Sequence, residues 1–126
     1  VAALLSDLLV ADAVFVSAVM HRPVEGREGV MLYLSGALHV LGVGSDFRYV
    51  RQVVLGDTAV LEFETRVDGL EVNGVDMIRF DDAGQITEFK VMLRPLSAIH
   101  AVRDRMAALV AGGSQAAPAP GGPAQH

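Results

Sequence analysis

Between residues 47 and 94 the hydrophobic residues of this chain follow a period of two, and this period constrains the fold more than any other feature. Strands place alternate side chains on opposite faces, so a period of two predicts β-structure. The predicted strands are residues 47–55, 59–67, 70–80 and 85–94. Short segments rich in Gly and Asp separate them and are suited to tight reversals. We therefore expect an antiparallel meander.

Helical segments lie on both sides of the predicted meander. Apolar residues one turn apart predict helices over residues 28–41 and from residue 96 onward, and Pro95 separates the second helix from the last strand. Before them, the pattern predicts a short helix over residues 2–9, a strand over residues 12–20 and a connection over residues 21–27. This order indicates an α+β fold in which a curved antiparallel sheet wraps around helices.

The length of the chain predicts one domain. With 126 residues, of which 52% are hydrophobic, the chain can bury one core but not two. Residues 1–111 are expected to form this domain. Residues 112–126 are rich in Ala, Pro, Gly and Gln, lack large apolar side chains, and are predicted to be a disordered tail. Because Val1 already reads as the interior of an element, we expect residues upstream of it.

Charge and composition exclude several classes of partner. A net charge of −5 offers no broad basic surface for nucleic acid. No apolar stretch approaches the roughly 20 residues that span a bilayer, so no membrane partner is expected. The chain has no cysteine, which excludes disulfides and cysteine-ligated zinc and is compatible with the cytoplasm. His39 and His100 lack a second ligand at metal-binding spacing, and neither metal nor cofactor is expected.

Asp76 is the main candidate for a functional residue. It lies in the strand over residues 70–80, on the face that also carries Val72, Gly74 and Ile78. An ionised carboxylate is costly in such surroundings, so burial should raise its pKa and favour the neutral, hydrogen-bond-donating form. Buried acids of this kind concentrate at functional sites. The alternative is a structural acid that pairs with an arginine or a backbone amide.

Three weaker candidates, His21, Tyr33 and Arg94, accompany Asp76. His21 opens the connection after the first strand, and its imidazole could act as an acid or a base, although a solvated histidine is the simpler interpretation. Tyr33 and Tyr49 are the only phenols, and packing is the usual role of both. Arg94 ends the last strand and could reach back as a counter-ion, which would ionise Asp76.

Glu62 and Glu64 share one face of the strand over residues 59–67. They could form a paired-carboxylate site, but Arg66 follows on the same face. We therefore predict an outer, solvated face with cross-strand ion pairs.

Two segments carry a resemblance to a known family. Residues 72–86 read VNGVDMIRFDDAGQI, and residues 12–17 read DAVFVS, followed by Pro, Gly and a helix. In order and spacing they resemble the nuclear transport factor 2-like superfamily, which includes ketosteroid isomerase and the SnoaL-like polyketide cyclases. The similarity runs over residues 8–109. It implies a cone-shaped, cystatin-like α+β barrel around an apolar pocket, a first helix before Val1, and a homodimer formed through the sheet face.

The resemblance also implies a function. By position, Asp76 matches the protonated, hydrogen-bond-donating aspartate of the isomerase and lies near the acid or base of the SnoaL-like cyclases. Ser17 falls where the isomerase has its general-base aspartate, and a hydroxyl cannot take up a proton unaided at neutral pH. A limonene epoxide hydrolase-like site would need a second aspartate, which the later elements do not offer.

The expected activity is cofactor-free isomerisation or cyclisation of an apolar, oxygen-bearing small molecule held in the cone. The alternative is a non-catalytic member of the fold that binds a small molecule or serves as a dimeric scaffold. The expected site consists of Asp76 and His21 as catalytic residues and Ser17, Tyr33 and Arg94 as substrate-binding residues.

Overall fold

Six strands and two long helices make up the part of the chain that the computed structural model describes, residues 6–42 and 46–113. In chain order the elements are β1 Leu9–Val16, β2 Val24–Glu25, α1 Arg27–Gly42, β3 Arg48–Leu55, β4 Thr58–Val67, β5 Leu70–Phe80, β6 Ile86–Arg94 and α2 Leu96–Gly113. The strands form one curved, open sheet in the order β2-β1-β6-β5-β4-β3. The predicted α+β class, with a sheet wrapped around helices, is confirmed.

Strands β3 to β6 form the predicted antiparallel meander. Its three reversals contain four residues with a positive φ: Gly56 at 60°, Asp68 at 54°, Gly69 at 80° and Gly84 at 82°. Glycine enters this region without steric cost, and Asp tolerates it better than most residues do. The reversals therefore lie where the Gly- and Asp-containing segments predicted them.

Strand β1 differs from the prediction in both direction and extent. It pairs with β6 in a parallel arrangement, so the sheet is mixed rather than wholly antiparallel. It starts at Leu9 and ends at Val16, where the Ser17 hydroxyl accepts a hydrogen bond from the backbone N–H of Val19 at 3.1 Å. This local turn ends the strand before the predicted position. The predicted connection also contains the short strand β2, which pairs with β1.

Two predictions fall partly outside the described residues. Residues 6–8 are helical, as expected for the end of the helix over residues 2–9, but the rest of that helix lies outside the described residues. Helix α2 continues to Gly113 and so enters the predicted tail, whose remaining residues also lie outside. Within the described residues no helix is long and apolar enough to cross a membrane.

The sheet has an inner face, on which both helices pack, and an outer face. Inner-facing Phe63 and Val72 are almost fully buried, as is Leu34 of α1. Complete burial of such a side chain stabilises a fold by roughly 1.5–3 kcal/mol. Among aromatic contacts, the rings of Phe47 and Phe63 stack with their centroids 5.0 Å apart. The core therefore lies between the inner face of the sheet and the two helices.

The outer face carries the predicted cross-strand ion pairs. Arg48 pairs with Glu64, and Arg51 Nε lies 3.3 Å from a carboxylate oxygen of Glu62. The arginine side chains are largely exposed and the glutamate side chains partly exposed, so each pair contributes about 0–1 kcal/mol. The interpretation of Glu62 and Glu64 as outer-face residues is confirmed.

Candidate functional site

Asp76 lies at the centre of the inner face. Its neighbours across the sheet are Leu61 on β4 and Val91 on β6. Only 3% of Asp76 is exposed, and Val72, Gly74 and Ile78 of the same strand are buried on the same face. The strand period thus places this carboxyl where the sequence predicted it, among apolar side chains.

Tyr49 of β3 provides a hydrogen bond to this carboxyl. Its hydroxyl donates to Oδ2 of Asp76 over 3.4 Å, which is longer than the 2.5–3.0 Å usual for O–H···O bonds. The Tyr49 ring meets Phe47 edge to face, with centroids 5.0 Å apart, and 43% of the residue is exposed. The phenol therefore stands between the core and solvent.

The surroundings change the acidity of both groups. Burial raises the pKa of Asp76 from 3.8 to about 7, and the hydrogen bond from Tyr49 opposes this only in part. Near neutral pH the carboxyl therefore populates both protonation states, which is the condition for a general acid or base. Burial, together with the negative charge of Asp76 and the hydrogen bond to it, raises the pKa of Tyr49 to about 12. The phenol accordingly remains a hydrogen-bond donor.

A β-bulge directs Tyr49 to the inner face. Strands β3 and β4 pair regularly from the Gly56-Asp57 reversal as far as the pair Arg51–Glu62. If this register continued, Tyr49 would lie opposite Glu64 on the outer face. The register shifts between Tyr49 and Arg51, so that Tyr49 lies opposite Phe63 instead. Bulges of this kind redirect a side chain near functional sites. The sequence assigned Tyr49 to packing, the usual role of a tyrosine, and the period of a strand does not reveal the bulge.

Within the described residues, neither Ser17 nor His21 is hydrogen-bonded to Asp76. Val16 is the last residue of β1 paired with β6, and one further step of this register would place Ser17 level with Val91. Ser17 would then lie two strands from Asp76, roughly 10 Å along the sheet. Its hydroxyl is engaged by the backbone N–H of Val19, and His21 is exposed.

Among the described residues, neither Tyr33 nor Arg94 forms a hydrogen bond or ion pair with Asp76. Tyr33 is half-buried on α1 and packs against the core. Arg94 lies opposite Asn73 on the outer face and is exposed. The Arg94–Asp76 ion pair that the sequence left possible is not formed. Val91 faces inward beside Asp76, and Arg94 lies three residues further along β6, so its side chain is on the opposite face.

Arg94 belongs to a different feature, a polar cleft of about 550 Å³ at one end of the sheet. Its lining includes Arg48, Glu64, Arg66, Glu71, Arg94 and Ser97. Four of these residues form two ion pairs, Arg48–Glu64 and Arg66–Glu71. Asp76 does not line this cleft, so the cleft and the Asp76–Tyr49 pair are distinct.

The open curved sheet, with helices on one face and a buried acid at its centre, defines an α+β protein of the nuclear transport factor 2-like superfamily. The SnoaL-like domain family matches residues 2–89, and the chain belongs to this family. This confirms the resemblance seen in the sequence. None of the curated proteins compared with the chain matches it.

Solved structures agree with this assignment. A steroid delta-isomerase from Pseudomonas aeruginosa is 41% identical with a TM-score of 0.83, covering 89% of this chain and 81% of its own. A protein with a cystatin-like fold from Silicibacter pomeroyi is 32% identical with a TM-score of 0.83, covering 90% of this chain and 79% of its own. An NTF2-like protein from Mesorhizobium loti, 24% identical with a TM-score of 0.61 and covering 75% and 78%, shares the fold.

Proposed function

We propose that the chain binds an apolar, oxygen-bearing small molecule on the inner face of its sheet and isomerises or cyclises it without a cofactor. The observation that carries this proposal is the buried carboxyl of Asp76, whose pKa of about 7 lets it both give and take a proton. The similarity to a steroid delta-isomerase supports the isomerase class. In this proposal Asp76 is the catalytic acid and base, and Tyr49, which the sequence had assigned to packing, is a hydrogen-bond donor to the ligand.

In the proposed reaction, ionised Asp76 removes a proton from a carbon next to a carbonyl of the ligand. The electron pair of the broken C–H bond moves into the carbonyl group and forms an enolate. The Tyr49 phenol donates a hydrogen bond to the enolate oxygen and stabilises its charge. Protonated Asp76 then returns its proton, which restores the carboxylate.

Isomerisation and cyclisation differ in the atom that receives the proton from Asp76. Return of the proton to a different carbon moves the double bond and completes an isomerisation. Attack of the enolate carbon on a second carbonyl closes a ring, and the new alkoxide takes the proton from Asp76. Both outcomes require one carboxyl group and no second base, which is consistent with a serine at position 17.

A second candidate function is ligand binding without turnover. The Ser17 hydroxyl is engaged in a local turn, and His21 is exposed and makes no described contact with Asp76. A site with one titratable acid and one phenol is sufficient to hydrogen-bond an oxygen of a ligand without reacting with it. The roles predicted for His21, Ser17, Tyr33 and Arg94 remain predictions.

The two candidates are separated by a turnover assay. Conversion of a β,γ-unsaturated ketosteroid to its conjugated isomer is followed by ultraviolet absorbance. We expect wild-type turnover, a loss of about 10²-fold or more in Asp76→Asn, and a smaller loss in Tyr49→Phe. Asp82→Asn, which changes an exposed acid, should retain activity. Binding of the steroid without turnover would favour the second candidate, and full activity in Asp76→Asn would refute the proposed reaction.

A further inference from the structure

The inner face carries another polar side chain that the proposed reaction does not use, Gln52 of β3. Gln52 lies opposite Leu61 on β4, and Leu61 lies opposite Asp76 on β5. Directly opposed residues of antiparallel strands share a face, so all three side chains face the same side. Within the described residues, the Gln52 amide has no hydrogen-bond or ion-pair partner.

Exposure increases along this row of residues. Asp76 is buried, Leu61 is half-buried and Gln52 is exposed. The row thus runs from the closed interior to the open side of the sheet, where every residue of β3 is exposed. Two strand spacings separate the backbones of Gln52 and Asp76, which is roughly 10 Å. Leu61 thus lies between the polar side chains of Gln52 and Asp76, and the distance between these two residues suits an elongated small molecule.

A general need for polarity on an exposed strand does not account for Gln52. Its neighbours toward the reversal are Val53, Val54 and Leu55, which are 51%, 71% and 81% exposed. The strand is therefore not polar where it is most exposed. The uncharged amide of Gln52 lies instead at the position of β3 that is in register with Asp76.

We propose that Gln52 determines specificity by hydrogen-bonding a second oxygen of the substrate, whose first oxygen lies at Asp76 and Tyr49 and whose apolar body covers Leu61. This inference rests on the proposed function and narrows its substrate class to elongated apolar molecules with an oxygen at each end. A carboxamide both donates and accepts, so it suits either a carbonyl or a hydroxyl. Because it is uncharged, it gives no preference for a carboxylate.

Two fluorescent probes test the proposal, a naphthol and a dihydroxynaphthalene with hydroxyls at opposite ends. Their dissociation constants are measured by fluorescence titration with the wild type, Gln52→Leu and the outer-face control Val53→Leu. One additional hydrogen bond corresponds to about threefold to tenfold in affinity. We expect the second hydroxyl to tighten binding by this factor in the wild type and the control. In Gln52→Leu the gain should disappear while naphthol binding is unchanged.

The outcomes separate this proposal from the function on which it rests. Naphthol binding that weakens in Tyr49→Phe supports the proposed site independently of Gln52. If the second hydroxyl gives no gain in the wild type, or if the gain survives in Gln52→Leu, the role of Gln52 is refuted and the site stands. If neither probe binds the wild type, both proposals fail. Gln52→Ala provides a second variant if Gln52→Leu does not fold.

Discussion

At the scale of single residues, the buried carboxyl of Asp76 couples folding to pH. Its pKa is 3.8 as an ordinary aspartate and about 7 in the folded chain. Between these values the folded chain retains a proton that the unfolded chain releases, so stability falls as the pH rises through this window and levels off above it. A difference of one pKa unit corresponds to about 1.4 kcal/mol, and the decrease attributable to Asp76 is therefore roughly 4 kcal/mol.

Urea unfolding of the wild type and Asp76→Asn between about pH 4 and pH 8 measures this coupling. Asparagine does not titrate, so the variant lacks the decrease and gains stability relative to the wild type as the pH rises. The exposed-acid variant Asp82→Asn should follow the pH dependence of the wild type. Parallel stability curves for wild type and Asp76→Asn would show that the carboxyl is not held in a desolvated environment.

The sequence was sufficient to find Asp76 but not its partner. Alternation within one strand places a side chain on a face, and this requires no knowledge of the neighbouring strands. Tyr49 reaches the same face through a bulge, which depends on how β3 pairs with β4. The possible Arg94–Asp76 ion pair was proposed from the length of the arginine side chain alone. The alternation of β6 prevents it, because Arg94 lies on the outer face.

At the scale of the strands, Gly74 is required for the packing of β5 against its neighbours. A Cβ at this position would overlap the ring of Phe63 and stand 2.8 Å from Cδ2 of Leu93. Phe63 is fully buried and stacked on Phe47, so it has little room to move. We expect Gly74→Ala to lower the free energy of unfolding by about 1–3 kcal/mol through overpacking.

Denaturant unfolding measures this loss. Gly42→Ala is the matched control, because a Cβ there meets no atom within 4 Å at the end of α1. Alanine is favoured over glycine in a helix by up to about 1 kcal/mol, so the control should match or exceed the wild type. Equal stability of Gly74→Ala and the wild type would mean that Phe63 repacks freely.

A strand's partner could be predicted from the sequence where the two strands are close in the chain, and not where they are far apart. The meander could be predicted because each pair of strands is joined by a reversal whose residues adopt positive φ. The partner of β1 is β6, which follows the whole meander, and nothing local to residues 9–16 records a parallel direction. The short strand β2 is invisible to periodicity because two residues define no period.

At the scale of the whole molecule, the outer face of the sheet suits a second copy of the chain. Both helices pack on the inner face, and the outer face exposes 51% of Val53 and 49% of Met92. Val75 and Met77 lie between these strands on the same face and are half-buried. The cross-strand ion pairs flank this apolar area. An apolar centre with a polar rim is the composition of a protein interface, and we propose that the chain forms a homodimer through this face.

Introducing a charge at Met92 tests this dimer. Met92→Glu places a carboxylate between Lys90 and Arg94 on β6, where the isolated protomer tolerates it, but in a dimer the same charge must be desolvated. We expect light scattering coupled to size exclusion to give a dimeric mass for the wild type and a monomeric mass for Met92→Glu. Leu32→Glu is the control, since Leu32 is 58% exposed on α1, away from the outer face, and should remain dimeric. A monomeric wild type would refute the dimer. A dimer that tolerates Met92→Glu and dissociates with Leu32→Glu would place the interface elsewhere.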